Sequence, residues 1–196
     1  YLFPLYRRQE VTSFVGFHLG PRLRFALRWW RTAIAHFPFA VDLPFAAQES
    51  VPALVYSDAA LEARFCGRAA VCPTLREVCA ALGPPEIGAT IALEETLACV
   101  EALHAFGPRL AGRRIVFFVD NTATQGALVR GYSPHSRLND LAGEFWLRAA
   151  QCGVFPWIER VSSSANLADA PSRGVNCQIS SSYTRVPIPQ FQLNFA

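Results

Sequence analysis

The chain has 196 residues, of which 52% are hydrophobic and 17% charged, a composition that is typical of a folded domain and excludes an intrinsically disordered protein. Its formal charge of +3 permits a polyanionic partner but does not by itself require one. No segment contains about 18 uninterrupted apolar residues and no cationic leader precedes an apolar run, so the sequence predicts neither a membrane span nor a signal peptide.

Two residue types do not occur in the sequence. The absence of Met predicts that the chain is a fragment or a processed piece of a longer polyprotein. The absence of Lys means that all 18 basic residues are Arg. A GC-rich coding bias explains this and is the favoured interpretation, while selection of Arg for bidentate phosphate contacts is the alternative.

The cysteines predict reduced thiols rather than disulfides or a zinc site. They form no C-x-x-C pair and have no His at zinc-finger spacing. Reduced thiols indicate an intracellular protein, cytoplasmic or nuclear. The six residues are Cys66, Cys72, Cys79, Cys99, Cys152 and Cys177.

Residues 1–50 are rich in aromatic side chains and interrupted by four prolines. Between the prolines, residues 23–35 are predicted to form one helix that carries Trp29 and Trp30. Paired Trp residues serve either as a stacking platform for nucleic acid or as buried core residues. Burial against the following domain is the favoured interpretation.

From residue 51 onward, short strand-like runs precede the first clear helix. Residues 51–57 form an apolar strand that leads to Asp58, and residues 64–72 are predicted as a second strand with Gly67 at a bulge or bend. Residues 73–89 are ambiguous and contain a Gly-Pro-Pro breaker.

The second half of the chain alternates helices with strands. Residues 91–106 have helical apolar spacing, residues 115–119 read as a central strand covered on both faces, and a helix starts near Ala123 behind a cap at Asn121 or Thr122. A second helix, a strand and a short helical turn follow at 138–152, 154–160 and 166–172, and the residues beyond 174 are unassigned. This order predicts an α/β fold in which helices flank a mixed sheet.

Four acidic residues occupy structurally meaningful positions: Asp58, Glu95, Asp120 and Asp169. Strand ends meet at one edge of such a sheet, so neighbouring strands would place Asp58 and Asp120 roughly 5 Å apart. Two such carboxylates repel each other and raise each other's pKa unless a cation lies between them. Mg²⁺ is the natural cation, and two ions about 4 Å apart support phosphodiester hydrolysis. Taken singly, each residue is better explained as an ordinary surface acid or cap, but the four together favour a metal site.

The segments that carry these acids resemble the ribonuclease H domain of retroelement reverse transcriptases, in particular those of tyrosine-recombinase (DIRS-like) elements. In the helix motif of that family a Glu is followed three residues later by Ala, which selects Glu95 over Glu94. The last segment is similar to the closing N-x-A-D-x-x-S-R signature of such domains. The matching residues are 55–59, 91–98, 118–122 and 166–173.

The resemblance covers residues 51–174 and implies a ribonuclease H-like mixed sheet flanked by helices. Residues 1–50 would then be a helical connection from an upstream polymerase domain, and residues 175–196 a C-terminal tail. The sequence departs from the family at residues 59–63, where a Gly-rich hairpin is usual, and at residues 162–164, where cellular relatives have a loop His. His135 does not match that His and is predicted to be a loop residue.

The resemblance implies hydrolysis of the RNA strand of RNA–DNA hybrids with two Mg²⁺ ions, or Mn²⁺. Asp58 and Asp120 would bridge the metals, Glu95 would ligate one metal near the scissile 2′-hydroxyl, and Asp169 would complete the second metal site. A catalytically inactive scaffold that binds nucleic acid or packs on a polymerase is the alternative, and an integrase or resolvase relative is disfavoured by the closing signature. Candidate phosphate contacts are Arg113, Arg114, Arg130, Arg137 and Arg173.

Overall fold

The computed structural model describes residues 20–36, 51–175 and 182–191. Helices and strands in chain order are α1 (Pro21–His36), β1 (Ala53–Glu62), β2 (Phe65–Cys72), β3 (Glu77–Gly83), α2 (Ile91–Phe106), β4 (Arg114–Val119), α3 (Thr122–Arg130), α4 (Ser136–Cys152), β5 (Phe155–Arg160), α5 (Asp169–Ser172) and β6 (Thr184–Arg185). Two short 3₁₀ helices lie at Gly107–Leu110 and Ser163–Ala165.

The described strands form one mixed sheet in the order β5-β4-β1-β2-β3-β6. β1, β2 and β3 are an antiparallel meander, whereas β4 runs parallel to β1 and β5 runs parallel to β4. The crossover from β3 to β4 passes through α2, as a parallel connection requires. The α/β class with a mixed sheet and flanking helices, predicted from the order of the elements, is confirmed.

The main core lies between the sheet and helices α2 and α4. Ile115, Phe117 and Val119 of β4 are fully buried on this face, and the Phe117 ring meets Phe145 of α4 edge-on at 5.4 Å. Alternate residues of β4 are only partly buried, so the strand is central but its other face is less covered than a continuous apolar run predicts.

Helix ends follow the capping residues of the sequence. The Thr90 side chain accepts a hydrogen bond from the Leu93 amide at the start of α2. Asn121 is the cap of α3, because its side chain accepts from the amides of Ala123 and Thr124. Gly131 ends α3 in the left-handed conformation, with φ of 63°.

Strand β1 is longer than predicted, and the placement of Asp58 at its end is wrong. Pairing with β4 stops at Tyr56, but pairing with β2 continues to Glu62 opposite Phe65. A tight turn at residues 63–64 joins the two strands. Asp58 therefore lies inside β1, at the point where its parallel neighbour ends.

The ambiguous residues 73–89 contain a strand, β3, which pairs with β2 along its length. Val78 and Cys79 are buried there and Leu82 is about half exposed. Sheet pairing, which no short pattern reveals, decides the conformation.

Part of the predicted C-terminal tail joins the sheet. β6 pairs with β3, and the amides of Thr184 and Val186 donate to the carbonyls of Arg76 and Val78 at 2.9 Å. Ile188 and Phe191 further along pack against the main core. The proposed domain boundaries at residues 50 and 174 stay predictions.

Helix α1 packs on α4. Ala26 is fully buried, and the Trp29 indole Nε1 donates to the Gly143 carbonyl at 3.1 Å. Trp29 and Trp30 are both partly buried and contact each other edge-on. The hydrogen bond of Trp29 agrees with the favoured interpretation, burial against the following domain, and for Trp30 that interpretation stays a prediction.

The described cysteines are free and buried: Cys66, Cys72, Cys79, Cys99 and Cys152. Cys177 lies outside the described residues, as do Pro4, Pro38 and Pro44. Within residues 20–36, 51–175 and 182–191, no helix combines the length and the hydropathy that crossing a bilayer requires.

Gly67 is where β2 meets α5. A Cβ atom at this position would lie 1.7 Å from the carbonyl oxygen of Ser172 and 2.9 Å from the Phe65 ring. The predicted bulge or bend at Gly67 is instead a regular strand position, paired with Ala60 and Leu82. Glycine is required because the α5 backbone approaches the strand so closely.

Gly67→Ala should lower the free energy of unfolding by about 1 to 3 kcal/mol, since the added methyl overpacks the contact with Ser172. Gly83→Ala in β3 is the matched control, because its Cβ would meet nothing within 4 Å. We expect the control to change the free energy by less than about 1 kcal/mol. Urea unfolding of both variants measures the difference, and equal destabilisation of the two would contradict the assigned contact.

Candidate functional site

The register of the sheet brings two of the predicted acids side by side. Tyr56 of β1 and Phe118 of β4 are the last parallel pair, and their rings stack at 4.6 Å. Asp58 and Asp120 each lie two residues beyond this pair, so they leave the two strands at the same level. Asp58 is buried and Asp120 is half-buried.

Helix α2 supplies the third acid. Glu95 lies in the first half of α2, which packs on β1 and β2, and its side chain is buried. Its Oε2 atom is buried and has no hydrogen-bond partner among the described residues. An unpartnered buried carboxylate oxygen is unfavourable unless a proton or a cation compensates for it.

Asp58, Glu95 and Asp120 form a cluster in which one carboxylate oxygen from each lies within 4.8 Å of the others. Asp169, the first residue of α5, is outside this group of three. It is still close enough for its charge to raise the pKa of Asp58, and its own carboxylate pairs with Arg173 at 3.2 Å. The structure thus brings three of the four predicted residues together and places the fourth beside them.

Burial and mutual repulsion raise the pKa values of two members of the cluster. Desolvation is the largest cause for Asp58, whose pKa rises to about 6, with the charges of Asp120 and Asp169 acting in the same direction. Desolvation, followed by the charges of Asp58 and Asp120, raises the pKa of Glu95 to about 9. At neutral pH and without a cation, Glu95 therefore keeps its proton.

Ser172 and Asn166 hold β1 at the site, and sequence reasoning did not count them among the site residues. The Ser172 hydroxyl donates to the Asp58 carboxylate in a buried hydrogen bond that lowers the pKa of Asp58. The Asn166 side-chain amide donates to the Ser57 carbonyl at 2.9 Å, and its oxygen accepts from the Ala168 amide. The closing N-x-A-D-x-x-S-R signature was the available signal, because it contains both residues.

Glu94 has a different role from its neighbour Glu95. Its carboxylate pairs with Arg68 of β2 at 2.8 Å, and the same guanidinium also binds Glu101. The two buried carboxylates thus share one cation, so Glu94 is occupied in an ion-pair network. This separation agrees with the choice of Glu95 made from the helix register.

Most of the candidate phosphate-binding arginines have a partner within the chain. Arg113 donates to the Val51 carbonyl, Arg137 lies 3.6 Å from Glu86, and Arg173 pairs with Asp169. His135 is not only a loop residue: it caps α4, with Nδ1 accepting from the Leu138 amide.

The cluster fits a divalent cation of the hard, oxygen-binding kind. Its donors are all carboxylate oxygens, and one oxygen from each residue lies within 4.8 Å of the others. One of the carboxylate oxygens, on Glu95, also lacks a hydrogen-bond partner among the described residues. The residues could hold such an ion, whose charge would oppose both the desolvation and the repulsion that raise the pKa of Glu95.

No protein-family model matches the sequence, and a search of curated proteins gave no match. Among solved structures, the chain is similar to the N-terminal RNase H domain of Rv2228c from Mycobacterium tuberculosis, solved as a fusion with maltose-binding protein. The TM-score is 0.52 at 16% identity, and the match covers 68% of this chain and 96% of that one.

A second similar structure is RNase H1 from the halophilic archaeon Halobacterium salinarum, with a TM-score of 0.46 at 16% identity over 63% of this chain and 92% of that one. Identity this low bears on the fold and not on the activity, and the mycobacterial domain is the one of these two structures whose TM-score exceeds 0.5. Together with the observed strand order, that likeness shows that the chain has the ribonuclease H-like α/β fold.

Proposed function

We propose that the chain is a metal-dependent nuclease that hydrolyses the RNA strand of RNA–DNA hybrids. The observation that carries the proposal is the convergence of Asp58, Glu95 and Asp120 at the end of β4, with an unpartnered buried oxygen on Glu95. Asp169 is proposed as the fourth site residue because its charge lies close enough to Asp58 to raise the pKa of that carboxyl group. The domains of similar shape carry the RNase H name, which agrees with this chemistry.

Two divalent ions, Mg²⁺ or Mn²⁺, would supply an activated water and stabilise the leaving oxygen of the phosphodiester. Asp58, Glu95, Asp120 and Asp169 would hold them. Ser172 orients the Asp58 carboxylate and favours its charged form, while Asn166 fixes the β1 backbone one residue earlier. Both act as positioning residues.

We further propose that the chain belongs to a retroelement reverse transcriptase polyprotein and works beside an upstream polymerase domain. The resemblance of the closing N-x-A-D-x-x-S-R signature to that of such domains supports this proposal. Its Asn, Ala and Ser also each make a contact that braces the site. An inactive scaffold would need the packing of Ala168 but not three converging carboxylates, whose mutual repulsion is unfavourable without a function.

Asp120→Asn should reduce Mg²⁺-dependent cleavage of a labelled RNA–DNA hybrid by at least about a hundredfold, since a lost ligand removes several kcal/mol of charge stabilisation. Glu62→Gln is the control, because Glu62 is an exposed acid at the far end of the same strand β1. Gel analysis of the products measures both rates. A wild-type rate no higher than that of Asp120→Asn would refute the enzyme and leave the scaffold.

Without divalent ions, the buried carboxyl groups should make stability depend on pH. The folded-state pKa of Glu95 is raised from 4.5 to about 9 and that of Asp58 from 3.8 to about 6. The folded protein therefore holds protons that the unfolded chain releases, and this contribution lowers the free energy of unfolding as pH rises between these values. In urea titrations between about pH 6 and pH 9, the free energy of unfolding of Glu95→Gln should fall less steeply with pH than that of the wild type. The free energy of unfolding of Glu62→Gln should follow that of the wild type.

Mg²⁺ should stabilise the wild type above about pH 8, by about 2.7 kcal/mol when the free ion is at 100 times its dissociation constant. Asp120→Asn should lose most of this gain. Thermal unfolding with and without Mg²⁺ measures it, and equal stabilisation of the two proteins would place the ion elsewhere.

A further inference from the structure

Helix α1 is strongly basic. It contains four of the 18 arginines of the chain and no acidic residue in 16 positions, and no acid lies in its first turn. No other described helix or strand contains more than two arginines. This concentration of charge is not explained by the catalytic cluster, to which α1 contributes nothing.

Three of these arginines form a stripe on the outer face of the helix. Arg24, Arg28 and Arg31 are spaced by four and three residues, so they lie on one side, and all three are exposed. None of them forms a salt bridge within the described part of the chain, unlike Arg68, Arg109, Arg137 and Arg173. Within the part of the chain that the structure describes, the stripe is therefore an exposed, positively charged surface.

The arrangement is unfavourable for an isolated helix. Like charges three and four residues apart repel, and cations near the start of a helix oppose its dipole. A polyanion on this face would remove both penalties. Guanidinium groups also suit phosphate oxygens, because they bind them in a bidentate manner.

The opposite face of α1 argues against a membrane as the partner. An interfacial helix inserts its apolar face into the lipid. Here that face is already used, because Ala26 is fully buried and Trp29 donates to the Gly143 carbonyl of α4. Only Leu27 and Ile34 are large apolar side chains exposed on the described helix.

We infer that the Arg24–Arg28–Arg31 stripe binds the phosphate backbone of the nucleic-acid substrate, outside the carboxylate site. The inference deepens the proposed function and rests on it for the identity of the substrate. The carboxylates repel phosphates in the absence of metal, so affinity for the duplex must come from cations placed elsewhere. The stripe supplies them on a helix that is attached to α4.

The test is binding of a fluorescent RNA–DNA hybrid, measured by anisotropy over a range of salt concentrations without divalent ions, so that nothing is cleaved. Replacing Arg24, Arg28 and Arg31 together by Ala should weaken binding and reduce the slope of log affinity against log salt by about 2 to 3, at roughly 0.9 per lost phosphate contact. The matched control replaces Arg64, Arg160 and Arg185, which are exposed arginines outside α1, and removes the same charge. It should change the slope by less than half as much.

A triple replacement by Lys should keep the slope, since it keeps the charge, and circular dichroism should show that the Ala variant retains its helices. An unchanged slope in the Ala variant, or an equal change in the control, would overturn the inference. A second result would also overturn the inference. In it, the wild type binds vesicles of anionic phospholipid through the three arginines, while the Ala variant shows an unchanged salt slope with the hybrid. This result would identify a membrane surface as the partner instead. A wild type that binds the hybrid through α1 but does not cleave it would refute the proposed function and leave this inference intact.

Discussion

The concentration of negative charge at the end of β4 is the constraint on which the rest of the structure depends. Asp58, Glu95 and Asp120 come from two strands and a helix and bring their oxygens within 4.8 Å. Water does not screen this repulsion well, because two of the three side chains are buried. The cluster can be stable only if protons or bound cations compensate for this charge. Of the two, a bound cation is the one that keeps the carboxyl groups deprotonated as ligands at neutral pH.

The segment around α5 keeps that charge in place. Asn166 is bonded to the β1 backbone, Ala168 packs against Val71 and Val78, and Ser172 donates to Asp58. The carbonyl of Ser172 can approach β2 because Gly67 has no side chain. The position of Asp58 is therefore fixed twice. The sheet register fixes its backbone, and the contacts of residues 166–172 hold its side chain and the neighbouring β1 backbone.

The sequence predicted the class of the fold and the boundaries of α2 because these depend on local patterns. Apolar spacing and a Thr cap specify residues 91–106 without reference to the rest of the chain. The prediction from sequence did not extend to features that strand pairing determines. β1 continues past Asp58 because β2 pairs with it, and β3 and β6 are strands because their neighbours pair with them. The acids were predicted from their positions in the expected strands and helices together with the motifs around them, whereas the hydrogen bond from Ser172 to Asp58 depends on the contact between β1 and α5, which no local pattern reveals.

Charge is distributed in this molecule according to two different requirements. A metal site needs oxygens close together and shielded from water, and it repels a polyanion until the ions are bound. Substrate affinity needs exposed cations spread over several phosphates, and these cannot lie among the carboxylates without neutralising them. Arg68 illustrates the second point, since it is fully engaged by Glu94 and Glu101. A separate basic element such as α1, attached to the domain through α4, meets both requirements at once, because it attracts the backbone while leaving the three carboxylates unpaired.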